Sequence, residues 1–256
     1  MGGQAAKAAV QKLIQNTRFE PVAHILWRRL RVRGESGRNA RDNALAVRVM
    51  ARVLRRDSNY VDVGSSYGDL LWHVLRYAPR GRHFAIEPIP EIASGLRAKF
   101  PRLTVLEMAA SDESGEAEFL HVTSNSGYSG LRRREYPSPD ERLRTIRVRT
   151  SKLDDVLPAD VAVHLLKVDV EGAELQVFRG ARRTLTTHRP YLLFEHGRGA
   201  ATAYGTTPEM VHDFLVRECG LRVSTLEGWL RGEAPLGREA FVAQFQGLEC
   251  NFLAHP

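Results

Sequence analysis

The chain has 256 residues, 43% of them hydrophobic, which suffices for one large domain or two small ones and excludes global disorder. Its formal net charge of +7 rests almost wholly on arginine, which describes a solvated surface and is weak ground for nucleic-acid binding. The two cysteines, Cys219 and Cys250, show no C-x-x-C spacing, so they exclude a disulfide framework and fit a reducing compartment.

The opening "MGGQAAKAAVQKLIQ" lacks the continuous apolar core of a signal peptide. Gly2 invites myristoylation, but that pattern wants Ser or Thr at position 6, where Ala6 stands. No apolar run approaches the roughly 18 residues of a membrane span. A cytoplasmic, soluble protein with no membrane partner is the expectation. Residues 1–57 read as an N-terminal helical cap. "AAKAAVQKLIQ" and "EPVAHILWRRLRVR" place apolar residues at three-to-four spacing, "GESGRN" breaks the pattern, and "DNALAVRVMARVLRR" resumes it. Such a segment can close over a site or form a homodimer surface.

Residues 58–256 read as one α/β domain. "YVDVG" is a strand, "YGDLLWHVLRYA" a helix, "RHFAIEP" a strand, "PEIASGLRAKF" a helix and "LTVLEMAA" a strand. "EAEFLH" and "TIRVRTSKL" suit a strand pair. "HLLKVDVEG" is a strand, "AELQVFRGARRTL" a helix, "RPYLLFEHG" a strand and "TPEMVHDFLVREC" a helix. "LRVSTLE" and "ECNFLAHP" are late strands. This alternation predicts a doubly wound, mostly parallel sheet covered on both faces. Ligands of such sheets bind beyond the carboxyl ends of the strands. Acids recur there: Asp62, Glu87, Asp112, Asp169 and Glu195. The Ser-, Gly-, Pro- and Arg-rich stretch 121–144 breaks the rhythm and predicts a substrate loop.

Asp62-x-Gly64-x-x-x-Gly68 ends the first strand, with Ser65, Ser66 and Tyr67 between the glycines. Glycines there allow a sharp turn and a close ligand. The three glycines of G-x-G-x-x-G, which make room for a pyrophosphate, are missing. Asp62 would repel phosphate and suits a ligand with a positive charge. Glu87, followed by the strand-ending Pro88, suits a ribose diol; Ser111 and Asp112 suit an adenine. An amine-bearing tail, a ribose and an adenine without phosphate describe S-adenosyl-L-methionine. Taken singly, each residue also has a plain explanation, Asp62 as a helix cap and Glu87 as a solvated strand-end acid.

The blocks "YVDVGSSYG", "FAIEPIPEIASGL", "AASDESGEAEF" and, above all, "LLKVDVEGAELQVFRGA" resemble the FkbM family of Class I S-adenosylmethionine-dependent methyltransferases. The likeness runs from about Asn59 to Gly197. One departure is Ser65-Ser66, where the family often has Ala-Asn. The resemblance implies a Rossmann-like, seven-stranded sheet with the last strand antiparallel. It implies O-methyl transfer to a hydroxyl of a sugar, polyketide or similar natural-product small molecule. It places Asp62, Gly64 and Gly68, with Ser65 and Tyr67 between, at the methionine end, Glu87 and Pro88 at the ribose, and Ser111 and Asp112 at the adenine.

An alcohol needs a general base to become a nucleophile. Asp169 and Glu171 in "KVDVEG" and Glu195 and His196 in "FEHG" are the candidates. Asp169, Glu195 and His196 also have the chemistry to hold magnesium. Glu174 reads as a helix-start acid, and Glu171 has that plain explanation beside the catalytic one. In the 121–144 loop, Tyr128 and Tyr136 are candidates to face an acceptor, and Arg132 to Arg134 have the charge to meet a phosphate or carboxylate on it, with a solvated charge run as the favoured reading. The competing readings are a nucleic-acid methyltransferase, which would show steep salt dependence, a non-catalytic cofactor-binding scaffold in a biosynthetic complex, and an NAD-dependent oxidoreductase, which the missing G-x-G-x-x-G disfavours.

Overall fold

The computed structural model describes residues 35–136, 138, 140–246 and 251–256. The chain divides into one unit up to Ala44 and a second, compact unit, Leu45–Pro256. The first two expected helices and Cys250 lie outside the described residues. The third helix is α1, Glu35–Val53, which starts inside "GESGRN" rather than after it. A glycine inside a helix costs only about 1 kcal/mol. That is too little to end a helix whose Leu45, Ala46, Val49 and Met50 are buried along one stripe.

Strands and helices then alternate: β1 (Asn59–Val63), α2 (Leu71–Tyr77), β2 (His83–Ile86), α3 (Pro90–Lys99), β3 (Thr104–Leu106), β4 (Ala109–Ala110), β5 (Gly115–Val122), β6 (Leu143–Ser151), α4 (Leu153–Val156), β7 (Val163–Val168), α5 (Glu174–Gly180), α6 (Arg182–Thr187), β8 (Tyr191–Glu195), α7 (Arg198–Ala201), α8 (Pro208–Asp213), β9 (Arg222–Thr225), α9 (Leu226–Arg231), α10 (Arg238–Gln246) and β10 (Asn251–His255). Seven strands form the main sheet in the order β3-β2-β1-β7-β8-β10-β9. All pair in parallel except β10, which runs antiparallel to both β8 and β9. The Rossmann-like sheet with an antiparallel last strand is therefore present.

Three sequence readings are corrected. "LTVLEMAA" is two strands in two sheets. β4 leaves the main sheet to pair with β6, which in turn pairs antiparallel with β5 as the expected strand pair. "AELQVFRGARRTL" is two helices that meet at Ala181, and at Gly180, the last residue of the first, the chain passes so close to Ser111 that a Cβ would overlap the Ser111 carbonyl. "LRVSTLE" turns helical after Thr225, whose side chain caps α9 by accepting the Gly228 N–H.

The sheet splits the core in two because strand side chains alternate faces. Val61, Val63, Leu166, Val168, Leu192 and Phe194 point to one face, against Leu175, Phe178 and Phe241. Tyr60, Ala85, Leu165, Leu193 and Leu253 point to the other, against Met50, Leu71 and Leu96. The same alternation has a consequence at the carboxyl ends. Asp62 follows Tyr60, Lys167 follows Leu165 and Glu195 follows Leu193, two residues on in each case, so all three fall on one face. Asp62 and Lys167 are direct cross-strand partners. Between β1 and β7 the strand order departs in opposite directions, which is the switch point where such sheets open a crevice.

Candidate active site

The turn after β1 is shaped by its neighbours. Gly64 has φ +73°, and a Cβ there would overlap the Asp169 carbonyl oxygen. The loops after β1 and β7 therefore pass back to back, and only glycine fits. The Gly64 and Ser65 N–H groups both donate to the Ile86 carbonyl, at 3.0 and 3.2 Å. Ser65 Oγ turns back to the Asp62 carbonyl at 2.8 Å. Ser66 sits at φ +46°, a left-handed conformation that costs a non-glycine residue energy. Gly68, at φ +77°, lies against Phe100, Leu71 and Leu96.

Four carboxylates and one ammonium gather at these strand ends. Lys167 Nζ lies 3.5 Å from Asp62 Oδ1 and 3.2 Å from Asp169 Oδ2, and reaches the Gly64 carbonyl at 3.5 Å. Burial works against its charge, but Asp169 and Asp62 outweigh that and hold its proton more tightly than in an ordinary lysine. Burial raises the Asp62 carboxyl above its usual range, with Lys167 opposing. Glu87 is 4% exposed. Its Oε2 accepts the Ser66 N–H at 2.9 Å and its Oε1 the Ile89 N–H at 3.0 Å, so it ties the two loops together. Burial still pushes it up to about 7. Glu195, the last residue of β8, is pushed up to about 8 by burial and then by the charges of Asp169 and Glu174.

The remaining site residues of the sequence reading separate into groups. Ser111 and Asp112 follow β4, on the small sheet's side, with Asp112 Oδ2 4.0 Å from Arg179. Pro88 lies between Glu87 and the start of α3. Tyr67 is half exposed, its hydroxyl 3.5 Å from Ser126 Oγ. Glu171, at φ +57°, forms an ion pair with Arg134. His196 is fully buried, its ring 4.7 Å from that of Phe245 and its Nδ1 3.7 Å from Glu174 Oε2. Glu174 Oε1 accepts the Gly172 N–H at 2.9 Å, so it does hold the start of α5. With the imidazole turned into phenyl rings, His196 does not join Asp169 and Glu195. Among the described residues no group of three or more His, Cys, Asp or Glu side chains stands together as metal ligands.

Three residues at these strand ends and loops are not singled out as site residues by the sequence. Lys167 is one, although a lysine within the apolar run "HLLKV" is itself a signal, since a charge there needs partners. Arg132 and Arg134, favoured as a solvated run over contacts for an anionic acceptor group, are the others. In the structure the Arg134 guanidinium lies 5.3 Å from the Tyr128 ring centre, and Arg132 lies 5.4 Å from that of Tyr204.

A family model described as the methyltransferase FkbM domain matches residues 62–223, well over half of the chain. The chain belongs to the FkbM methyltransferase family. Two curated relatives are similar to this FkbM domain. The 2-O-methyltransferase NoeI of Sinorhizobium fredii is 29% identical over 181 residues, which cover 64% of this chain and 74% of NoeI. The AMB antimetabolite synthetase AmbE of Pseudomonas aeruginosa is 28% identical over 210 residues, 67% of this chain but only 10% of AmbE. A crystal structure of methyltransferase FkbM from Methylobacillus flagellatus KT is 17% identical, with a TM-score of 0.49, and the match covers 79% of this chain and 44% of that one.

The family uses S-adenosylmethionine, and the residues present fit it. Asp62 Oδ1 is buried with no hydrogen-bond partner among the described residues, although Lys167 stands at ion-pair distance. The acids around it outnumber the single lysine, which suits a ligand carrying a sulfonium and an ammonium. The chain has no helix among its described residues long and apolar enough to cross a membrane.

Proposed function

We propose that this FkbM domain transfers a methyl group from S-adenosyl-L-methionine to a hydroxyl of a sugar, polyketide or similar small molecule. One observation carries the reading: Asp62, Glu87, Asp169 and Glu195 sit together at the carboxyl ends of adjacent strands, at the switch point of the sheet. The naming of a relative as a 2-O-methyltransferase supports oxygen as the acceptor atom.

Bound S-adenosylmethionine supplies an electrophilic methyl group on a sulfonium. Asp62 holds the cationic end, and Lys167 stands at ion-pair distance from both Asp62 and Asp169. Glu87 fixes the Ser66 loop and presents its free lone pairs to the ribose. Ser111 and Asp112 line the adenine side. Glu195 takes the proton of the acceptor hydroxyl, because a carboxylate with a pKa near 8 is a stronger base than an ordinary one. Glu195 is preferred to His196 for that role because the His196 ring is buried against Phe241 and Phe245.

Titration calorimetry with S-adenosylmethionine, S-adenosylhomocysteine and NAD tests the cofactor. Both sulfur ligands bind the wild type, NAD does not, and Glu87→Ala weakens binding by about 1–3 kcal/mol through the unpaired Ser66 and Ile89 N–H groups and the lost ribose contact. Binding of NAD alone, or of none of the three, overturns the reading.

A further inference from the structure

The segment from Ser126 to Tyr136 touches three loops that stand at the carboxyl ends of different strands. Ser126 Oγ meets the Tyr67 hydroxyl, after β1, at 3.5 Å. Arg134 pairs with Glu171, after β7. The Arg132 N–H donates to the Tyr204 hydroxyl at 3.1 Å and its guanidinium to the Ala203 carbonyl at 3.3 Å, both beyond β8. At its base, Gly130 exchanges backbone hydrogen bonds with Leu120 of β5. The segment therefore bridges the loops between which a ligand of this site must lie.

Among these contacts the Arg134–Glu171 pair is the least solvated charged one. The two side chains are 14% and 18% exposed, well below the surface pairs of this chain such as Arg82–Asp160. Arg134 stacks on Tyr128 of the same segment, and its charge reaches Glu195. Its Nε is buried with no hydrogen-bond partner among the described residues, as is the Tyr136 hydroxyl. Glu171, for its part, holds a left-handed backbone conformation that only its surroundings maintain.

We propose that Ser126–Tyr136 is a strap closed over the active site, seated by the Arg134–Glu171 pair, and that Glu171 is a positioning residue for this strap rather than the proton acceptor. Opening the pair frees the strap and uncovers the strand ends; closing it brings Arg134 and Tyr128 over them. The strap stands on geometry alone; only its response to cofactor rests on the proposed cofactor site.

Amide hydrogen exchange of the full chain, read by mass spectrometry on the peptide spanning 126–136, tests this. In the wild type the strap is protected, and S-adenosylhomocysteine slows its exchange further. Arg134→Gln and Glu171→Gln each speed strap exchange about tenfold while the amides of β1 and β7 keep their rates. The swapped pair Arg134→Glu with Glu171→Arg restores most of the protection, and so does Arg134→Lys alone. A strap that exchanges at unprotected rates in the wild type overturns the proposal. So does a folded swapped pair no better protected than the single variants. If the swapped pair fails to fold, equal loss in Arg134→Lys and Arg134→Gln overturns it. Absence of S-adenosylhomocysteine binding with the exchange pattern intact overturns the cofactor reading and leaves the strap standing.

Discussion

At Glu195 the pKa of about 8 comes from burial next to Asp169 and Glu174, so the group is largely protonated below that value and basic above it. A proton acceptor works only in its ionised form. Methyl transfer by the wild type, followed with labelled cofactor on the first acceptor that a panel of sugars and polyketides yields, therefore has a kcat/KM that rises with pH and levels off above about 8. Glu195→Gln lowers the plateau by roughly 10²- to 10⁴-fold and removes the limb. A variant that is slower but keeps the same limb would assign the titration to another group and leave Glu195 as a structural acid. His196 illustrates the opposite case. Its free-solution chemistry recommended it in the sequence, but the flanking rings of Phe241 and Phe245 come from a helix some 45 residues away that the sequence reading did not see.

Among the elements, the junction of α5 and α6 shows how a local pattern is overridden. The sequence reads as one helix across Gly180, but the approach of the Ser111 backbone lets only a glycine through, and the helix restarts at Arg182. The residue before the restart, Ala181, has no side chain to cap it. Asp154 of α4 serves instead, its carboxylate accepting the Arg183 and Thr184 N–H groups at 2.6 and 3.0 Å and the Thr184 hydroxyl at 2.7 Å. Loss of this cap in Asp154→Ala costs about 1–2 kcal/mol, and Asp154→Asn recovers part of it. Urea unfolding measures both; equal stability of wild type and Asp154→Ala would show that water replaces the carboxylate without loss. The strands carrying the site were legible because each shows an apolar run ended by an acid. The sequence marks 121–144 as a loop, but neither the contacts of that loop nor the pairing of β4 was legible, since nothing in "SGLRRREY" or "EMAASD" states which strand or loop lies opposite. Pairing partners far along the chain are fixed by packing, not by the period of a short segment.

Over the whole molecule, the site joins two halves of one sheet. Asp62 and Glu87 come from β1 and β2 on one side of the switch point, and Lys167, Asp169 and Glu195 from β7 and β8 on the other. The sequence made the order of these acids plain, but their common face depends on the register Asp62 opposite Lys167, which only the folded sheet supplies. A ligand that touches both halves has no folded half to bind if either unfolds. Its binding energy must then appear in the global transition, not in the melting of a part. S-adenosylhomocysteine at a hundred times its measured Kd should stabilise the chain by about 2.7 kcal/mol. For a domain of this size that is a shift of roughly 5–10 °C in a single calorimetric transition. If instead the melt splits and one step moves while the other stays, the ligand contacts only one half of the sheet. The placement of cofactor residues on both sides of the switch point would then be wrong, even with the family and fold unchanged.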